Sequence, residues 1–197
     1  VLAEELPDAR ITAIDTHQPY LDELQARAVA AGVRDRLTLE NMSMEEMVFA
    51  PETLDLIWAE GSAYIMGFTN AVAAWRPLLK RRGFLAVSEL VWLTEQRPAE
   101  AVEFFGQEYP AMTNRAGVAR GIRGAGYEVI DHFTLPDSAW WDAYYGPLLA
   151  RLPSLETKYA GDEASLSVIA AARRETEIRR RFASSYGYEF YVGCKTD

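Results

Sequence analysis

The sequence predicts an α/β protein with a mainly parallel sheet, helices on both faces, and a helical layer inserted before the last strand. Three observations carry this expectation. Short apolar runs rich in β-branched residues alternate along the 197 residues with stretches of helical periodicity. Two of the runs, Thr53 to Ala59 (TLDLIWA) and Phe84 to Val91 (FLAVSELV), are apolar almost throughout, the pattern of strands covered on both faces. About fifty residues with helical character separate the last two strand candidates, far too many for a hairpin.

Each element has a local reason. Val1 to Arg10 reads as the tail of a helix, and Ile11 to Asp15 (ITAID) as a short strand ending in a lone carboxylate. From Pro19 to Ala31, Leu21, Leu24 and Ala28 share one helix face, and Gly32 stands where a C-terminal cap belongs. Arg36 to Glu40 is a short strand, and Thr53 to Ala59 a buried one. Phe68, Val72, Trp75 and Leu79 follow helical spacing; Pro77 should loosen the last turn, and Arg81, Arg82 and Gly83 should close it. After the strand at Phe84 to Val91, Pro98 opens a helix through Val102 and Phe105. A second helix, Asn114 to Gly124, carries Val118 and Ile122. Tyr127 to Leu135 is a strand stopped by Pro136. Helices at Ala139 to Arg151 and Asp162 to Ser184 follow, and Tyr188 to Lys195 alternates as a final strand. The expected organisation is one domain over residues 1–197, with residues 137–186 as a helical cap.

Composition narrows the class. A formal charge of −9 argues against nucleic acid and against an anionic membrane surface, both of which ask for clustered Lys and Arg. No apolar run approaches the roughly 18 residues of a spanning helix. The single cysteine, Cys194, forbids an internal disulfide and fits a reducing compartment, so a cytoplasmic location is expected. No His or Cys spacing suits a metal. The basic run Arg173 to Arg181 is interleaved with Glu175 and Glu177 at i,i+4 and reads as a solvated helix face.

The carboxylate of Asp15 points further. In nucleotide-binding α/β folds an acid at the end of the second strand accepts hydrogen bonds from ribose hydroxyls, with a glycine loop and first strand roughly 20 residues upstream. Only Val1 to Arg10 precede this strand, and residue 1 is Val rather than Met. The chain is therefore expected to be trimmed and to begin one strand late.

The succession AIDTHQPYL, LTLENMSMEEM, LDLIWAEGSAYIMGF, LLKRRGFLAVSEL, GYEVIDHFTLP and YGYEFYVGCK resembles the class I S-adenosylmethionine-dependent methyltransferases, in the bacterial small-molecule branch with a helical cap. The resemblance covers nearly the whole chain. It implies a Rossmann-like doubly wound sheet with an antiparallel last strand, here without its first strand. It implies S-adenosyl-L-methionine as cofactor and a small-molecule acceptor, with a homodimer as one option. Asp15 would bind the cofactor's ribose, with Thr16 and His17 beside it. Ser43 and Met44 would meet the adenine, and Ala59, Glu60 and Gly61 the methionine part. The family's acidic first motif and glycine loop have no match here.

Methyl transfer from a sulfonium needs alignment and exclusion of water more than covalent help, and a base only when the acceptor carries a proton. Glu60, at the carboxyl end of a central strand, and Glu89, a charge inside an apolar strand, are the acid or base candidates. His17 belongs by position with the cofactor, and His132 lies mid-strand. Among the aromatics, Tyr64, Trp92, Trp140, Trp141 and Tyr144 are the acceptor-binding candidates, since aromatic faces near acids suit a cationic or aromatic acceptor. Two other readings stay open. An acid ending the second strand also fits a nicotinamide-dependent oxidoreductase, and the same fold can serve as a non-catalytic nucleotide-binding or interaction domain.

Overall fold

Helix α1 (Leu2–Glu5), strand β1 (Ile11–Asp15), helix α2 (Gln18–Ala30) and strand β2 (Leu37–Asn41) open the chain in the computed structural model, which describes residues 1–197. They make up the first of two units, residues 1–50 and 51–197. β1 and β2 pair in parallel, with Asp15 opposite Asn41. Parallel neighbours need a crossover, and α2 supplies it. Pro19 is tolerated in the first turn of α2, where its missing N–H would have no helical partner anyway. Ala3, Ala28 and Leu37 form the core of this unit, with Ile11, Leu24, Val33 and Leu39 packed against them. The Arg36 guanidinium donates to the carbonyl oxygens of Ala3, Leu6 and Ala9, satisfying the chain that leaves α1.

The second unit runs β3 (Leu54–Glu60), α3 (Phe68–Trp75), β4 (Leu79–Trp92), α4 (Ala99–Glu108), β5 (Thr113–Asn114), α5 (Arg115–Gly124), β6 (Tyr127–Thr134), α6 (Ser138–Trp140), α7 (Gly146–Lys158), α8 (Glu163–Phe182) and β7 (Tyr186–Lys195). The strand order is β3-β4-β7-β6, with the two residues of β5 pairing to the end of β4. β3 and β4 are parallel, and β7 is antiparallel to both β4 and β6. Within this unit all strands therefore run one way except the last, as the resemblance implies. Asn114 caps α5 by accepting the Gly117 N–H at 2.9 Å. No helix is long and apolar enough to cross a membrane.

Two local expectations need correction. Arg81, Arg82 and Gly83 do not close a helix. Pro77 ends α3 in a turn of 3-10 helix, and the strand is already under way at Leu79, opposite Leu54. The pairing then jumps from Leu79 to Phe84, so residues 80–83 form a bulge in which Arg82 takes φ +58°. Gly83 fits there because a Cβ would lie 3.0 Å from the Lys80 carbonyl and 3.2 Å from that of Asp55. The second correction concerns Thr53 to Ala59. Its apolar run reads as buried; among the strands present β3 pairs with β4 alone, and Leu56 and Trp58 are exposed. Periodicity reports that a face is apolar; it does not report whether anything covers it.

Between β6 and β7 the chain forms the helical layer. Residues 141–145 are π-helical, joining α6 to α7 without a break. Gly146 permits this wider turn, since a Cβ there would stand 2.7 Å from the Trp141 carbonyl oxygen. α7 then runs on to Lys158 despite Pro153 inside it. This layer shares a core with α4 and the facing ends of β4 and β7, built on Trp92, Phe104, Phe105, Trp140, Tyr145, Ile178 and Tyr186.

Candidate active site

The carboxyl end of β4 carries two adjacent polar residues in an otherwise apolar strand, Ser88 and Glu89, and both are buried. Each has a different task. Ser88 anchors the turn after β3: the Gly61 N–H points at the Ser88 hydroxyl at 3.0 Å and at its carbonyl at 3.4 Å. Gly61 sits at φ +55°, and a Cβ on it would lie 3.2 Å from the Tyr188 hydroxyl. Backbone strain and contact therefore coincide. Gly61→Ala is expected to destabilise the fold by about 1–2 kcal/mol through the left-handed backbone alone, measured by urea unfolding. An unchanged midpoint would mean that the turn relaxes to negative φ.

Glu89 is 2 % exposed, and its Oε1 accepts the Leu90 N–H at 3.0 Å while Oε2 has no hydrogen-bonding partner in good geometry. Its register partner across the ladder is Glu189, equally buried. Glu189 is fully engaged: Thr134 Oγ1 donates to it at 2.6 Å, His132 Nδ1 lies 2.5 Å away and Arg115 Nε 3.4 Å away. One of the two carboxylates is a satisfied structural group, and the other keeps one oxygen without a close partner. Burial pushes the Glu89 carboxyl up to about 7, against smaller opposing pulls from the Leu90 N–H and the Tyr109 hydroxyl.

Two cavities meet at Glu89, Leu90 and Tyr109. One, of about 220 Å³, opens between the first turns of α3 and α5 past Asn70 and Thr113. The other, of about 210 Å³, lies under the helical layer and is walled by Tyr64, Phe104, Phe105, Trp140, Tyr145 and Tyr188. Trp140 is its keystone. It stacks on Tyr188 at 4.9 Å and on Tyr145 at 5.9 Å, and the Arg179 guanidinium lies 4.2 Å from its ring centre. Arg179, itself buried, donates to the Tyr186 carbonyl at 2.8 Å and to Asp137 at 2.6 Å. Tyr145 donates its hydroxyl to Glu175 at 2.7 Å. Burial raises the hydroxyls of Tyr109 and Tyr145 well above the ordinary value and that of Tyr188 to about 12, so these rings stay neutral.

The residues singled out from the sequence fall into distinct places. In the first unit, the Asp15 carboxylate is partly exposed at the end of β1, where Oδ1 accepts the His17 N–H at 2.7 Å. Thr16 and His17 are exposed beside it, the imidazole edge-on to Tyr20 at 4.6 Å. Ser43 and Met44 follow β2, and the Ser43 hydroxyl accepts the Glu45 N–H at 3.1 Å. The Met42 N–H bonds the Asp15 carbonyl at 3.1 Å, so the ladder brings these segments side by side. In the second unit, Ala59, Glu60 and Gly61 end β3. Glu60 is exposed and holds the Trp58 indole N–H at 2.6 Å, outside both cavities. Glu89 lines both. Tyr64 and Trp140 line the aromatic cavity, whereas Trp92 is core, Trp141 lies under Arg180, and Tyr144 is exposed. Tyr109, Tyr188, Glu175 and Ser88 were not foreseen. Ser88 alone had a signal, a hydroxyl inside an apolar strand.

A mainly parallel sheet with one reversed last strand, and polar groups gathered at the carboxyl ends of its strands, defines the fold as that of the class I S-adenosylmethionine-dependent methyltransferases. Solved structures similar to this chain agree. A methyltransferase from Geobacter sulfurreducens in complex with S-adenosyl-L-homocysteine matches at TM-score 0.75 and 16% identity, over 92% of this chain and 74% of that one. YjhP from E. coli matches at TM-score 0.76 and 19% identity, over 94% and 76%. The 4+2 cyclase SpnF matches at TM-score 0.72 and 20% identity, over 98% and 69%. No family model matches the sequence.

Proposed function

We propose that this chain binds S-adenosyl-L-methionine and transfers its methyl group to a small-molecule acceptor by in-line displacement. The observation that carries the reading is the buried Glu89 carboxylate, with Oε2 lacking a close partner, in an aromatic-walled cavity one residue from the Ser88 that anchors the turn after β3. A buried carboxylate left unpartnered is costly and is kept where a ligand completes it.

Each unit, taken by itself, carries groups suited to part of the cofactor. Asp15 keeps one carboxylate oxygen clear of any hydrogen bond, which suits ribose hydroxyls, and Thr16 and His17 flank it. Ser43 and Met44 offer a polar group and a soft wall for the adenine. Ala59, Glu60 and Gly61 offer backbone to the methionine part, and the absent side chain at Gly61 leaves room against Tyr188. S-adenosyl-L-methionine supplies the electrophilic methyl group on a sulfonium. The chain's own contribution is to hold the acceptor in the cavity, to keep water out with the helical layer, and to take up an acceptor proton at Glu89.

The fold does not dictate this chemistry, since a 4+2 cyclase shares it. Calorimetric titration with S-adenosyl-L-homocysteine, with NADH as control, decides between the readings. Micromolar binding of the first alone supports methyl transfer, NADH binding an oxidoreductase, and binding of neither an interaction domain. Asp15→Ala is expected to weaken binding by about 1–3 kcal/mol, the scale of a hydrogen bond to a charged group. An unchanged dissociation constant in the folded variant would remove Asp15 from the site.

A further inference from the structure

We propose that the acceptor is a small amine that enters as its ammonium ion, held by the aromatic cavity and deprotonated by Glu89 Oε2. The chemistry rests on the methyl-transfer reading; the binding does not.

Charge is the first argument. Among the residues lining the two cavities, Glu89, Glu108 and Glu175 are the only ionisable groups apart from tyrosines, and no Lys, Arg or His lines either one. Two guanidinium groups lie behind the lining rings: that of Arg179 against Trp140, already balanced by Asp137 at 2.6 Å, and that of Arg174 5.8 Å from the Phe104 ring centre. An anionic acceptor would meet three carboxylates and no counter-charge. A neutral one would leave Glu89 buried and unpaired. A cation resolves both.

The second argument is the wall. The rings of Tyr64, Tyr109 and Tyr188 offer π-faces, and the raised tyrosine hydroxyls keep them uncharged. Neutral aromatic faces attract a cation, more strongly where water is excluded. Tyr64 and Tyr109 stand 5.7 Å apart at 58°, and both line the cavity.

The third is the base. Glu89 is 2 % exposed, and Oε2 is the one bare carboxylate oxygen buried in the wall. An ammonium N–H donates to it, and the proton moves to Oε2, leaving the amine with a lone pair. That lone pair forms the new N–C bond as the methyl C–S bond breaks, and the sulfonium becomes a neutral thioether. The product is the methylated ammonium, and Glu89 returns its proton to water as the product leaves. A carboxyl near 7 is poised for this exchange at neutral pH.

The test uses trimethylammonium chloride and its neutral isostere tert-butanol, titrated into the chain and followed by tryptophan fluorescence. Trimethylammonium should bind at least about tenfold tighter than tert-butanol, by analogy with charged pairs in desolvated sites. Its affinity should rise between pH 5.5 and 8 as Glu89 ionises. Glu89→Gln should abolish the pH dependence and weaken the cation about tenfold while leaving the alcohol unchanged. Equal binding of the two probes, or cation binding indifferent to Glu89→Gln, would overturn the proposal. Failure of S-adenosyl-L-homocysteine to bind, with the cation still held, would sink methyl transfer and leave the ammonium site standing.

Discussion

Trp140→Ala is expected to destabilise the fold by about 3–5 kcal/mol, the range for deleting a large buried aromatic. The ring is 9 % exposed and touches four partners: Tyr188, Tyr145 and Tyr186 through aromatic contacts, and Arg179 through its guanidinium. Loss of the cation–π contact adds to the cavity term. One effect works the other way. Arg179 Nε is buried without a partner, and the space left by the indole would let water reach it. Burial outweighs that gain, because one solvated N–H is worth about 1–2 kcal/mol at most. Trp140→Phe keeps a ring for Tyr188 and Arg179 and should cost less than half as much. Urea unfolding measures both. A loss under about 1 kcal/mol for the Ala variant would show that α4 and α8 seat the helical layer without this residue.

Glu89→Gln should do the opposite and stabilise the fold, by about 3 kcal/mol at pH 8 and almost nothing at pH 4. The sign follows from where the proton resides. Burial raises the carboxyl from its ordinary 4.5 to about 7, so below about pH 4.5 it is protonated in both folded and unfolded chains and costs nothing. Between 4.5 and 7 the unfolded chain releases the proton while the folded chain retains it, and stability falls as pH rises. Above 7 both states are ionised and the penalty levels off. At about 1.4 kcal/mol per pH unit, that interval amounts to about 3 kcal/mol. Glutamine fills the same volume, keeps an acceptor for the Leu90 N–H, and cannot ionise. Thermal or urea unfolding from pH 4 to 8 compares the two chains; a difference that stays flat across that range would refute the assignment.

How much was legible in advance varied with the kind of signal. Strands with apolar runs and helices with apolar faces were readable, because burying those side chains is what makes the elements form. Boundaries failed where a non-periodic feature intervened. At Arg81 to Gly83 the left-handed Arg82 and the close-packed Gly83 build a bulge that resembles a helix terminus in sequence. At residues 141–145 a π-helical segment looks like ordinary helix until Gly146 is seen against the Trp141 carbonyl. Within the site, Glu89 announced itself as a charge in an apolar strand. Glu60 was equally visible at a strand end, but the structure gives its carboxylate to the Trp58 indole. Tyr109 and Tyr188 look like any other tyrosines in the chain.

The sequence by itself determined the alternation of strands and helices, a final strand, the helical insertion before it and the acid at the end of β1. Each of these is a local consequence of side-chain period, of turn residues, or of chain length between elements. Only the tertiary structure decided which of two buried carboxylates is satisfied, and which aromatics face a cavity and which fill the core. Those outcomes depend on contacts between residues far apart in the chain, such as Glu189 with His132 or Trp140 with Arg179 and Tyr188. Hydrogen-bond satisfaction and solvent exclusion are properties of neighbours in space, and no local pattern of residues encodes them.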